Sequence, residues 1–288
     1  MGIKTIMAGL SGGTASNGTC EIACRLAARF GAHLTGLHVR PDVSAMVMAA
    51  GAEALAATAT MSWAMDLSEA LAAKQDQAKS EFTETALRHH LSVAASAETS
   101  ASPVAAWEEQ TGHVSNIIAS RARFFDLVVL GRSERVIDAP HSDAIEQTLI
   151  QSGRPVLLAP AVAPKVLGET IAFAWNGSAQ AVRALAAALP FLHQARQVHV
   201  IIVGDGGATD GEELLVYLRL HGIAATLKPI RSVAGASLGG QILSAARDEG
   251  ADLVVLGGYG QAPWRQALFG GTTNELVGVS LLPLLLAH

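Results

Sequence analysis

The residues of this 288-residue chain best placed to do chemistry lie near its end. They are Gly257-Gly258-Tyr259-Gly260 and, after nine residues, Gly270-Gly271-Thr272-Thr273. They follow the apolar run Asp252-Leu253-Val254-Val255-Leu256. Backbone N–H groups approach an oxyanion closely only where no Cβ intervenes, and the start of a following helix adds partial positive charge. A buried strand opening into this spacing is suited to cradling a phosphate. Pro263 fits the first turn of a short helix over Trp264 to Phe269. Gly270 and Gly271 then end that helix, and Thr272 and Thr273 cap the next one through Glu275 to Val279. Arg265 is either a charged contact to the anion or a solvated loop residue.

Other chemistries find less support. No G-x4-G-K-[ST] loop occurs, and Pro263 stands where the last glycine of a dinucleotide fingerprint belongs. His89-His90, His193 and His199 form no H-E-x-x-H, and no paired C-x2-C exists, so no metal is expected. Asp205 to Gly211 resembles a calcium loop but lacks its alternating acids and closing glutamate; it reads as a turn into a helix over Glu212–His221. Cys20 and Cys24, four apart on a helix, read as buried apolar thiols in a reducing compartment. Trp107-Glu108-Glu109 reads as a helical face. Ser11-Gly12-Gly13-Thr14-Ala15-Ser16 is similar to the S-G-G-x-D-S loop of ATP pyrophosphatases, with Ala15 in place of the acid. No catalytic triad or carboxylate pair is present, so at most slow ATP hydrolysis is expected.

The elements that must position these residues occur twice. Ile6 to Gly13 matches Ile171 to Ser178, Asp126 to Gly131 recurs as Asp252 to Gly257, and Arg154 to Ala159 recurs as Leu282 to Ala287. Two domains are expected, 1–160 and 165–288, joined by the proline-flanked Ala159 to Pro164. The offset from Asp126 to Asp252 is 126 residues and that from Ser11 to Asn176 is 165, so the first half carries about 39 extra residues. They fall in the Ala- and Met-rich segment from about Ser44 to Thr85, read as long helix that packs against protein. A bilayer span over Ala45 to Met65 is the minor alternative.

Short β-rich runs alternate with helical patterns, as a parallel α/β sheet requires. The expected strands of the first half are Thr5–Gly9, Leu34–Val39, Ser92–Ala97, Asp126–Leu130 and Val156–Ala159. Those of the second are Thr170–Trp175, Val198–Val203, Ala225–Pro229, Asp252–Leu256 and Leu282–Ala287. One helix presents Val182, Leu185, Ala186 and Leu189 on a face. Another, Gly239 to Glu249, turns Ile242, Leu243 and Ala246 inward, with Gly250 past its end. In such sheets ligands bind beyond the strands' carboxyl ends, where Gly177, Gly204, Gly257 and Gly260 stand.

Half of the residues are hydrophobic and 16% are charged, which supplies a core and argues against disorder. A net charge of −5 argues against a nucleic-acid partner. Met1-Gly2-Ile3-Lys4 leads straight into a strand with no leader of signal type, so the cytoplasm is the expected location.

Strand, G-x2-G-x9-G, hydroxyl and helix, with an Asx-Gly-Ser turn after the first strand, resembles the universal stress protein family in its tandem form. The resemblance covers the whole chain, once per half. It implies an α/β fold, Rossmann-like and of the adenine nucleotide alpha hydrolase-like type. Two repeated open five-stranded parallel sheets would carry helices on both faces. It also implies ATP or AMP, with Mg2+, as ligand of the C-terminal half, in a stress-response or scaffolding role. Gly257, Gly260, Gly270 and the hydroxyl near Gly271, Thr272, would hold phosphate and ribose. Asn176 stands where the family usually has an aspartate accepting a hydrogen bond from adenine, and Val203 would offer its backbone to the base. In the first half Ser11 replaces that aspartate, Glu134 takes the second glycine position, Ser142 the third, and Asp143 the hydroxyl. That half is expected to bind no ATP and to pair with the other as a pseudo-dimer, leaving a homodimer of chains open. The alternative function is a protein-interaction module that binds through the apolar helical insertion.

Overall fold

The computed structural model describes residues 2–44, 57–96, 102–132, 139–204, 208–233, 235–258 and 282–288. The first half contains β1 (Thr5–Gly9), α1 (Thr14–Phe30), β2 (His33–Arg40), α2 (Ala57–Arg88), β3 (Ser92–Ala94), β4 (Val104–Thr111), α3 (Val114–Ala122), β5 (Leu127–Gly131), α4 (Ala139–Ser152) and β6 (Val156–Ala159). The second contains β7 (Thr170–Ala174), α5 (Ala179–Leu192), β8 (Gln197–Val203), α6 (Ala208–Leu220), β9 (Thr226–Ile230), α7 (Leu238–Asp248), β10 (Leu253–Gly257) and β11 (Leu284–Ala287).

The strands form one sheet of eleven, ordered β3-β4-β2-β1-β5-β6-β11-β10-β7-β8-β9. The parallel α/β architecture is as expected, but the two sets of strands are fused edge to edge. β6 and β11 pair antiparallel, Leu157 opposite Leu285, while the other pairs run parallel. The order β4-β2-β1-β5-β6 is repeated as β9-β8-β7-β10-β11. One face buries Ile22 and Leu26 of α1, Phe82 of α2, Phe191 of α5 and Leu214 of α6. The other buries Val114 and Ile118 of α3, Ile145 and Leu149 of α4, and Ile242 and Leu243 of α7. Strands covered on both faces need unbroken apolar runs, and Leu253 to Leu256 are all buried.

Three expectations change. Ser92–Ala94 is a short edge strand, and β4 is the counterpart of β9, each pairing with the second strand of its half. Trp107-Glu108-Glu109 therefore lies on a strand. Its two carboxylates serve opposite faces: Glu108 meets Arg121 of α3 at 2.6 Å, and Glu109 accepts from Gln75 of α2 at 2.8 Å. On α5 the inward face is Ala181, Ala184, Leu185 and Ala188, whereas Val182 is 51% exposed. On α7, Ile242, Leu243 and Ala246 are buried as expected, and Gly250 follows with φ 67°.

The inserted helix α2 docks through its second half. Ala78, Phe82 and Ala86 are buried, and a Cβ on Gly36 would lie 2.8 Å from the Phe82 ring. Nearer its start Trp63 and Met65 are exposed, and residues 45–56 of the insertion lie outside the described residues. The proline-flanked connection lies on α1. A Cβ on Gly18 would stand 1.9 Å from the Pro160 carbonyl oxygen, and Arg25 donates to the Pro164 carbonyl at 2.6 Å.

At the amino ends of each half's strands, one carboxylate ties two strands together. Asp126 accepts from the Lys4 and Thr5 N–H groups at 2.9 and 3.0 Å. Asp252 accepts from Gly168, Glu169 and Thr170. Burial nevertheless raises the Asp252 carboxyl above its ordinary value, against the pull of those donors. Among the described residues, no helix is long and apolar enough to cross a membrane.

Candidate functional site

In the second half, β7 and β10 are neighbours whose chains leave toward opposite sides, to β8 and β11 respectively. This is the point in an open sheet where a crevice forms beyond the carboxyl ends. Three of the residues expected at a site converge there: Asn176 just after β7, Val203 at the end of β8 and Gly257 at the end of β10. Gly260, Gly270, Gly271 and Thr272, with Arg265, lie outside the described residues.

The turn after β7 is organised by hydrogen bonds. Asn176 Oδ1 accepts from the Ser178 N–H at 3.2 Å and from its hydroxyl at 2.7 Å. Ser178 in turn caps α5 by accepting from the Ala181 N–H at 3.2 Å. Gly177 takes φ 69°, and a Cβ there would meet the Asp210 carboxylate at 3.1 Å. The oxygen of Asn176, expected to accept from a base, is therefore committed to its own turn. What it offers outward is the amide N–H2, a donor.

Gly257 has a local reason to be glycine. A Cβ on it would lie 2.7 Å from the Ala181 nitrogen and from the Gln180 carbonyl carbon. The first turn of α5 thus rests directly on the end of β10. This close approach also brings the N–H groups at the start of a helix to the crevice. The Gly258 N–H continues the ladder by donating to Ala287 at 2.7 Å. The Ile201 carbonyl accepts from the Trp175 N–H on the β7 side. Main-chain groups alternate in direction along a strand, so Val203, two residues on, presents its N–H and C=O past the end of β7.

The equivalent edge of the first half is filled from within. Gly12 and Gly13 take φ 79° and 85°, open to glycine, and the Ser11 and Gly12 N–H groups point to one position. Ser16 Oγ occupies that position, accepting from the Ser11 and Gly12 N–H groups, both at 3.0 Å. Helix α2 closes over the turn, since a Cβ on Gly12 would lie 2.7 Å from the Lys74 carbonyl oxygen. The donors that a pyrophosphatase-like loop would aim at a ligand are thus engaged by the protein's own hydroxyl.

Beside this turn lies a cavity of about 40 Å3 lined by Leu10, Ser11, Ser16, Leu37, Leu130 and Arg132 among others. Arg132, directly after β5, donates to the Leu282 carbonyl of the other half at 2.8 Å. Burial pushes its guanidinium down to about 10, which leaves it charged at neutral pH. The signal for this arginine in the sequence is its place directly after Gly131. His38 Nδ1 lies 2.7 Å from the Leu10 carbonyl, and burial lowers its pKa. Glu134 lies outside the described residues; Ser142 and Asp143 fall on α4. Because β6 and β11 run antiparallel, the carboxyl edges of the two halves face opposite sides of the sheet.

No protein-family model matches the chain, and no curated protein matches it in sequence. Solved structures do match. It is similar to a universal stress protein from Archaeoglobus fulgidus DSM 4304 (TM-score 0.67, 14% identity), over 98% of this chain and 97% of that one. It is also similar to a functionally unknown protein from Pseudomonas aeruginosa (TM-score 0.56, 15% identity), over 99% of this chain and 92% of that one. Over nearly its whole length, the chain has the fold of the Archaeoglobus universal stress protein, a likeness of architecture rather than of sequence.

Proposed function

We propose that the chain is a cytoplasmic stress-response or scaffolding protein of the universal stress type, regulated by an adenine nucleotide bound in its C-terminal half. It divides into domains at 1–160 and 165–288, with the first paired to the second as a partner. The observation that carries this reading is the convergence of the Asn176–Ser178 turn, Val203 and Gly257 at the β7/β10 crevice. These residues fit a nucleotide. Val203 offers one donor and one acceptor, the complement of an adenine edge with a ring nitrogen beside an amino group. The Asn176 amide suits a second ring nitrogen. ATP or AMP, with Mg2+, is the ligand; Gly260, Gly270, Gly271 and Thr272 hold its phosphate and ribose. The first half binds none, because Ser16 engages its turn and α2 covers it.

Calorimetric titration of ATP into the purified protein tests this, with Gly260→Glu as control. Saturable heat that the variant abolishes is the expected result. Neither heat nor a thermal shift at millimolar ATP refutes it. A second reading, recruitment of a protein partner without nucleotide, is favoured by two exposed apolar side chains of α2, Trp63 at 51% and Met65 at 71%.

A further inference from the structure

Cys20 and Cys24, the chain's two cysteines, sit one turn apart on α1. Both are free thiols, 3% and 0% exposed, and neither belongs to the crevice described above. Cys24 and the Thr85 hydroxyl of α2 both interact with the Cys20 thiol. The Cys20 thiol itself points to the Glu81 carbonyl at 4.0 Å. Cys20 also lines an open groove of about 570 Å3 between α1, α2 and residues 161–163. Glu21, Glu81 and Glu84 give the groove a negative wall, with Arg88 among them.

Two neighbouring thiols can close a disulfide or share a thiophilic ion, and helix geometry separates these outcomes. Cβ atoms four residues apart on a helix are roughly 5–6 Å apart. A disulfide needs about 3.5–4.5 Å. Closing it would distort α1 where Ile22, Ala23 and Leu26 are fully buried. Two metal–sulfur bonds of roughly 2.3 Å each span the wider gap with the helix intact. Among the described residues, no group of three or more His, Cys, Asp or Glu side chains is placed to hold a metal. Of the His, Cys, Asp and Glu side chains described, the pair therefore offers its two sulfurs alone, which disfavours tetrahedral zinc and oxygen-seeking calcium or magnesium. Soft thiolates select ions such as Cu(I).

We propose that Cys20 and Cys24 bind one soft monovalent cation of the Cu(I) class as a two-coordinate bis-thiolate, entered through the acidic groove. Both S–H bonds break, two sulfur–metal bonds form, and the two protons leave through the groove; no atom changes oxidation state. The carboxylates concentrate cations at the entrance. The product carries one negative charge, and Arg25 and Arg88, both bonded to Glu21 beside the pair, offset it.

The test is titration of the full chain with Ag(I), and with Cu(I) under reductant against a competing chelator, read by native mass spectrometry and ultraviolet absorption. One ion per chain is expected, with a thiolate-to-metal band that methionine thioethers do not give. Cys20→Ser and Cys24→Ser should each weaken binding about a hundredfold or more, with folding confirmed by thermal unfolding. Tight uptake that survives in the double serine variant overturns the proposal, as does wild-type uptake without the thiolate band, or no uptake at all. A Cys20–Cys24 disulfide forming under mild oxidation with unchanged helix content would also overturn it.

Discussion

Replacing Gly18 by alanine sets two physical rules against each other. Gly18 lies inside α1, where alanine is favoured over glycine by roughly 1 kcal/mol, so helix propensity alone predicts a more stable protein. The tertiary structure predicts the opposite. The new Cβ would sit 1.9 Å from the Pro160 oxygen and 2.7 Å from that of Ala161. Both obstacles are backbone, so relief requires the connecting segment to lift by about 1 Å or more, the distance needed to restore an ordinary contact. That segment is held down nearby. Arg25 donates to the Pro164 and Lys165 carbonyls at 2.6 and 3.2 Å, and Arg29 to that of Leu167 at 2.7 Å. Overpacking against such a surface costs about 1–3 kcal/mol, and weakening one arginine hydrogen bond adds about 1.5 kcal/mol. After subtraction of the helix gain, Gly18→Ala should destabilise by about 1.5–3.5 kcal/mol. Equilibrium urea unfolding, followed by far-ultraviolet circular dichroism and tryptophan fluorescence, should show the midpoint falling. An alanine variant as stable as the parent, or more so, would refute the placement of the connection on α1.

Asp252→Ala should cost about 2–4 kcal/mol in the same assay, because three backbone N–H groups lose a charged acceptor in a part-buried setting. Asp126→Ala should act in the same direction. Burial tends to raise the Glu21 carboxyl, but hydrogen bonds from Arg25 and His89 prevail and hold it below its ordinary value of 4.5. Its stabilisation is therefore present above pH 4.5 and lost as pH falls through the lowered value, so Glu21→Gln should flatten the acid side of the stability profile. Ser16→Ala removes the acceptor of the Ser11 and Gly12 N–H groups and should cost about 1–2 kcal/mol by thermal unfolding. A change below roughly 0.3 kcal/mol would mean that water replaces the hydroxyl at almost no cost.

The sequence announced the central strands clearly, because strands buried on both faces are unbroken apolar runs. Asp126 to Gly131 and Asp252 to Gly257 are the same six residues, and the two halves diverge in the chain that follows each. The third strand of the first half was misplaced for the complementary reason. The later part of β4 meets long polar side chains, Gln75 of α2 and Arg121 of α3, rather than a uniform apolar layer, so Glu108 and Glu109 break its pattern. On α5 a run of alanines left the inward face undetermined to within a residue, and only packing decided it. At the crevice, the sequence located Asn176 and Gly257 but not their local duties. That Asn176 turns its oxygen back to Ser178, and that Gly257 receives the first turn of α5, are tertiary facts with no signal in residue type. In the sequence, a serine that fills its own turn, as Ser16 does, resembles any helix-starting hydroxyl.

The antiparallel seam between β6 and β11 has a consequence for how this protein avoids sticking to itself. Val156–Ala159 and Leu284–Ala287 are wholly buried apolar strands, and on an isolated half each would be a bare edge inviting further strands. By meeting each other they remove both hazards. The ends that remain in the described sheet are poor templates for pairing: β3 is only three residues long, and β9 carries Lys228 and Pro229. Either half expressed alone should therefore aggregate or pair through its exposed seam. In the intact chain, growth of the sheet by strand addition is discouraged at both ends, and any contact between copies is left to the helices.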